Sequence, residues 1–318
     1  MSDIVAVFLL MGGYNSALVM IGAALLGVAG GAAGTFALLR RRALASDAMS
    51  HATLPGIVLA FIAGHWLAGE GRAFWLLLAG ATLSAALGLW LVNRIRAGTR
   101  LEEDAAIGIV LSTFFAAGIV LLTLVQSLNL PQQAGLSGYL LGSTAGMLRA
   151  EAEAIAMLAA SVVVLVFLLR NVLFVVAFDE NYAAARGLDI ARIDMLLLLI
   201  VLAVVVIGLK AVGLILVIAL TIIPPITARL WTDRAKDMVW IAAGIGAVGS
   251  YVGAGVSALA ANLPAGAIIV LMQFALFAGS LIVAPKRGLL AMILRQRALR
   301  AAARDGRLGE LLGRTGPA

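Results

Sequence analysis

A chain of 318 residues that is 63% hydrophobic and 12% charged, with mean hydropathy +1.09, is not a soluble domain, because about a quarter of the residues in such domains are charged. The formal net charge of +7 does not indicate a nucleic-acid partner, since the arginines gather at the ends of apolar runs and in the C-terminal stretch, as the positive-inside bias requires. With no cysteine, disulfides, thiolate metal sites and thiol redox chemistry are excluded.

Apolar runs of about 20 residues recur along the chain and predict an all-α, polytopic integral membrane protein with eight or nine transmembrane helices. Residues 1–13 carry only Asp3 as a charge and read as an interfacial segment with no cleaved leader. A first span over about 14–39 ends at Arg40-Arg41-Arg42, which is placed in the cytoplasm. A second, about 43–63, contains Asp47, His51 and Pro55, and the connection 64–72 with His65 lies outside. Spans at 73–93 and 105–127 flank the charged stretch from Arg94 to Asp104. Residues 128–152 are weakly polar and glycine-rich, which suits irregular or re-entrant backbone shielded by protein.

After a span at 153–177 comes the most polar internal stretch, 178–194, in which Ala183 to Arg186 favour a short cytoplasmic helix and Gly187 stops it. Four further spans follow at about 195–208, 212–229, 238–260 and 266–284, with a tight outer turn near Lys210. An odd number of crossings places the N-terminus outside and the C-terminus inside. The chain therefore divides into one transmembrane domain, 1–285, and a basic cytoplasmic tail, 286–318, lipid-hugging or disordered. Glycine pairs four apart, such as Gly27/Gly31, Gly30/Gly34 and Gly249/Gly253, sit where helices can approach closely.

Chemistry concentrates at one place. Asp47 and His51 are four residues apart and share a helix face. Pro55 removes the hydrogen bond to the carbonyl of His51, so a carboxylate, an imidazole and a freed oxygen come together. Pro224 and Pro225 likewise break or kink a later span and release the carbonyls of Leu220 and Thr221. Among 16 acids only Asp47, and of two histidines only His51, falls well inside a predicted span. Ionisable groups there are functional candidates by default. Two other readings stand beside a metal site: Asp47 caps its helix or pairs with an arginine, or Asp47 and His51 form the relay of a proton-coupled secondary carrier. A metal held by carboxylate, imidazole and carbonyl would be manganese, iron(II) or zinc. The Gly-x-x-x-x-Gly-Lys-[Ser/Thr] loop, His-Glu-x-x-His and Gly-x-Ser-x-Gly are all missing, so ATP binding by that loop, zinc proteolysis and serine hydrolysis lack their parts. No enzyme is expected.

The run from Arg40 through Ser46-Asp47-Ala48-Met49-Ser50-His51-Ala52-Thr53-Leu54-Pro55-Gly56 resembles the signature of the permease subunit of metal-ion ABC importers. The likeness continues in Leu101 to Val110, Gly138 to Ser143, Val212 to Leu220, Ile223-Pro224-Pro225 and Leu263 to Val270, and covers roughly residues 14–290. It implies a helical permease of the bacterial plasma membrane that pairs with a second permease chain, the same or homologous. ABC ATPase subunits lie inside and an extracytoplasmic metal-binding protein outside. It assigns the metal path to Asp47 and His51. It makes 178–190 the coupling helix, with Asp179, Glu180, Ala183, Ala184 and Gly187 toward the ATPase. The wording around Ile222 to Pro225 and Trp231 to Arg234 is closer to manganese and iron permeases than to zinc ones. No permanent cofactor is implied, only the transported ion.

Overall fold

A computed structural model describes residues 6–11, 13–68, 73–128, 149–259 and 263–304. In chain order the helices are α1 (Tyr14–Leu39), α2 (Ala45–Ala68), α3 (Phe74–Gly98), α4 (Glu103–Ser127), α5 (Arg149–Phe178), α6 (Glu180–Ala185), α7 (Ile190–Val212), α8 (Leu214–Trp231), α9 (Ala235–Ala258), α10 (Ala265–Val283) and α11 (Leu289–Arg304). Among the described residues there is no strand. Eight of these helices are long and apolar enough to cross a membrane, and α8 is a shorter apolar helix. The protein is an all-α, multi-pass membrane protein.

The helices form two groups joined by α7. α1 packs against α9, α5, α8 and α7, while α2, α3 and α4 pack on one another, and α7 touches both groups. Small residues set how closely the helices approach. A Cβ on Gly27 would meet the backbone of Gly246, on Gly31 that of Ala242, and on Gly34 the carbonyl of Thr221. α1 therefore lies with its backbone against its neighbours, which is how helices gain packing energy where apolar side chains alone give no preference for protein over lipid. In the other lobe Gly56 and Gly80 press together in the same way.

Local signals account for the helix ends. Asp179 accepts a hydrogen bond from the Tyr182 amide (2.8 Å) and Asp189 one from the Arg192 amide (3.2 Å), so each caps the helix that follows. Gly213, at φ +85°, reverses the chain between α7 and α8, a conformation open to glycine without steric cost.

The structure corrects several expectations. α2 continues to Ala68, which puts His65 in its last turn and not in a loop. The outer turn lies at Gly213 because α7 runs through Lys210 to Val212. Residues 6–8 are helical and Val7 is buried, with the Phe8 carbonyl accepting from Tyr251 Oη at 2.6 Å, so this segment packs on protein. The tail begins with a helix, α11. Nor do the prolines break their helices: Pro55 lies within α2, and Pro224 and Pro225 within α8. Neighbours absorb the distortion. Gly118 of α4 leaves room for Pro55, and Gly30 and Gly34 of α1 receive the carbonyls of Leu220 and Thr221, the accommodation that lets membrane helices tolerate proline. The expected irregular segment at 128–152 falls mostly on 129–148, outside the described residues; α5 already begins at Arg149. The end of the tail, 305–318, lies outside them too.

Candidate functional site

α2 begins at the charged end of the bundle, and its first two turns hold the pair. His51 Nε2 lies 3.3 Å from Asp47 Oδ1, with the two side chains 19% and 32% exposed. The edge of the His51 ring meets Phe115 of α4, with centroids 4.9 Å apart and planes at 85°. Its other nitrogen, Nδ1, is buried and has no hydrogen-bond partner. It is thus a buried polar nitrogen that the chain's own groups leave unsatisfied.

Asp47 is not recruited by the arginines. Arg42 is buried and pairs with Asp194 at 3.0 Å and with Glu103 at 3.6 Å. Nor does Asp47 stand at the cap position: it lies inside the first turn of α2, where Ser46 Oγ donates to the Ala43 carbonyl (2.7 Å). Ser46 also accepts from Thr221 of α8 at 3.1 Å, tying α2 to the segment beside Pro224 and Pro225, both buried. Among the described residues no group of three or more His, Cys, Asp or Glu side chains converges to hold a metal. Within one chain the site consists of two side chains, half open on the face where Phe115 and Leu59 are exposed.

Below the pair lies a network that sequence reasoning missed. Arg40 grips Asp194 with two hydrogen bonds (Nε to Oδ1, 2.8 Å; Nη2 to Oδ2, 2.7 Å). Its third nitrogen donates to Glu180 of α6 (2.7 Å) and to the Val176 carbonyl (2.8 Å). Burial pulls the Arg40 pKa down, but the hydrogen bonds and charges of Asp194 and Glu180 outweigh it and hold the value above the ordinary one. Arg96 completes the set with Glu103 (2.6 Å). These residues surround an open cavity of about 590 Å³ that Arg41, Glu102 and Asp104 also line. The only sequence signals were the triple arginine and an acid at the start of α7; that they meet is a tertiary fact.

The expected coupling residues gather on α6 and its flanks. Asp179 is the cap, Glu180 faces Arg40, and Ala183 is buried. Ala184 and Gly187 are exposed, and Gly187 (φ +76°) ends the turn.

The comparisons with known proteins agree with this architecture. The manganese transport system membrane protein MntC of Bacillus subtilis is 38% identical over 286 residues, 90% of this chain and 65% of that protein. The chain thus spans just under two thirds of that relative's length. The zinc transport system membrane protein TroC of Treponema pallidum is 35% identical over 292 residues, 92% of this chain and 96% of that protein. A solved structure of PsaBC from Streptococcus pneumoniae in complex with a Fab superposes with a TM-score of 0.76 at 29% identity. It covers 89% of this chain and 97% of that one. The family described as the ABC 3 transport family matches residues 15–284. With its helices, their order and this match in agreement, the chain belongs to the ABC 3 transport family.

Proposed function

We propose that this chain is the transmembrane subunit of an ATP-driven importer of divalent transition metal ions, with Asp47 and His51 as the transit site. One observation carries the reading: the acid and the imidazole of α2 meet at 3.3 Å while the second imidazole nitrogen is buried and unpartnered. A carboxylate oxygen beside an imidazole suits manganese, iron(II) or zinc. The relatives' names for manganese and zinc support that class, and the residues around Pro224 and Pro225 favour manganese or iron.

An ion can cross only if its site is strong enough to replace water and weak enough to release it. Two side chains per chain meet that condition. A second permease chain, supplying its own pair across the seam on which Phe115 and Leu59 are exposed, would complete the coordination at the moment of transit. The ion arrives from an extracytoplasmic binding protein. Separate ATPase subunits dock on α6, so this chain is not itself an enzyme. Their movement reaches the site through Glu180, Arg40, Asp194 and Arg42, a chain of contacts that ends five residues before Asp47. Pro55 borders the path and frees the His51 carbonyl, while Pro224 and Pro225 border it through Thr221, which donates to Ser46.

The test is reconstitution of the complete complex in liposomes, with manganese, iron(II) and zinc uptake measured with and without ATP. ATP-dependent uptake that Asp47→Ala abolishes in an assembled complex is the expected result. Uptake driven by a proton gradient without ATP would overturn it and make the pair the relay of a secondary carrier.

A further inference from the structure

On the opposite side of α1 from the lobe of α2, a cleft of about 140 Å³ opens between α5 and α9. Its lining is graded. Val28, Val163, Val166 and Ala243 form the inner part, and Arg170, Asn171, Lys236 and Trp240 form the part toward the charged end of the bundle. Lys236 is in the first turn of α9, and Arg170 is eight residues before α5 runs into α6, so the positive-inside bias assigns both cations to the cytoplasmic side. Trp240 is 58% exposed and Phe167 48%, as expected of aromatic side chains at a membrane interface.

The two cations are not neutralised by protein. No carboxylate lines the cleft, and among the described residues neither Arg170 nor Lys236 has an ion-pair partner. Arg170 instead lies with its guanidinium carbon 4.0 Å from the centre of the Phe167 ring, which orients the charge and leaves its donors free. Beside α2, by contrast, Arg40, Arg42 and Arg96 each pair with one or two acids. Two unpaired cations beside an apolar cleft in a membrane-facing groove call for an anion that carries apolar substance with it. Free phosphate matches the cations and not the inner part. A zwitterionic lipid brings a positive charge of its own.

We propose that the cleft between α5 and α9 binds an anionic phospholipid of the inner leaflet, its phosphate between Arg170 and Lys236 and its acyl chain along Val163 and Ala243. Basic pockets between membrane helices on the cytoplasmic side recognise such headgroups by the same chemistry. Because α1 forms the back of the cleft and carries Arg40 at its end, the lipid braces the helix that anchors the ion-pair network.

The full-length chain, purified in detergent and supplied with phosphatidylglycerol or phosphatidylcholine, would be weighed by native mass spectrometry. One retained phosphatidylglycerol per chain is expected. Its apparent affinity should fall about tenfold in Arg170→Gln/Lys236→Gln and persist in the charge-conserving Arg170→Lys/Lys236→Arg. In the unaltered protein, phosphatidylglycerol brominated on its acyl chains should quench the fluorescence that Trp240→Phe removes, and brominated phosphatidylcholine should not. Equal retention or equal quenching by the two lipids would overturn the proposal. So would unchanged phosphatidylglycerol binding in the glutamine variant. Displacement of the lipid by millimolar inorganic phosphate alone would also overturn it, by reducing the cleft to a free-anion site.

Discussion

The charged end of α2 and the turn just above it follow opposite rules. At the end, Arg40 satisfies three acceptors, Asp194 is shared by Arg40 and Arg42, and Glu103 by Arg42 and Arg96. One turn further, Asp47 has a single ionic partner and His51 leaves a nitrogen unused. A saturated network has one geometry and moves as a unit; an undersaturated pair is free to take a ligand and give it back. The contrast sets a fixed network beside the proposed transit pair, close to the start of α2.

The largest expected effect comes from breaking the saturated side. Asp194 and Arg40 are only 8% and 10% exposed at their side chains, so Asp194→Ala leaves Arg42 with Glu103 alone, at 3.6 Å, and takes two hydrogen bonds from Arg40. Removing one partner of such a pair costs about 3–5 kcal/mol, and the variant should melt far below the unaltered protein or fail to accumulate in membranes. Asp194→Asn, which keeps the shape and loses the charge, should recover part of that loss.

On the undersaturated side the outcome should invert. Asp47→Ala or His51→Ala should lower metal uptake about a hundredfold, equivalent to about 2.7 kcal/mol, with melting and complex assembly close to unchanged. An uptake loss that tracked a fall in melting temperature would erase the distinction between the two regions.

A smaller effect is expected where backbones meet. A Cβ on Gly34 would collide with the carbonyl of Thr221 beside Pro224 and Pro225. Gly34→Ala should therefore cost about 1–3 kcal/mol through overpacking, read as a lower melting temperature. At Gly108, where a Cβ meets nothing, the same substitution should be silent.

The smallest effect belongs to a pair that resembles the network in chemistry but not in burial. Asp233 is exposed, and its hydrogen bond from Lys286 (3.0 Å), seconded by the Lys286 charge and by Arg287, holds its carboxyl below the ordinary value of 3.8. Because the folded pKa is the lower one, the contribution is present above pH 3.8 and is lost as pH falls through the depressed value. Asp233→Asn should leave melting at neutral pH almost unmoved. Protease access to the 284–288 segment should rise in acid for the unaltered protein and become less dependent on pH in the variant.

Much of this molecule was legible in the order of its residues, since a bilayer leaves few choices. Helices must close their own hydrogen bonds, so run length predicted the long apolar helices. The Asp47–His51 pair was legible because four residues make one turn, whatever surrounds it. The cap at Asp179 and the stop at Gly187 follow from equally local rules.

What only the tertiary structure decided depends on distance in space. Nothing in the local sequence says that Arg40 will close on Asp194, 154 residues away, or that Arg42 will choose Asp194 and Glu103 and leave Asp47 to His51. Nor does it show that Arg170 and Lys236 share one cleft without an acid between them. The prolines carry the same lesson. Their missing hydrogen bonds are local facts, but whether the helix breaks is set by the neighbour, and here glycines of α1 and α4 let it continue. Turn geometry acts within a few residues and is written in the chain; charge pairing and backbone contact act across it and exist only once the helices are packed.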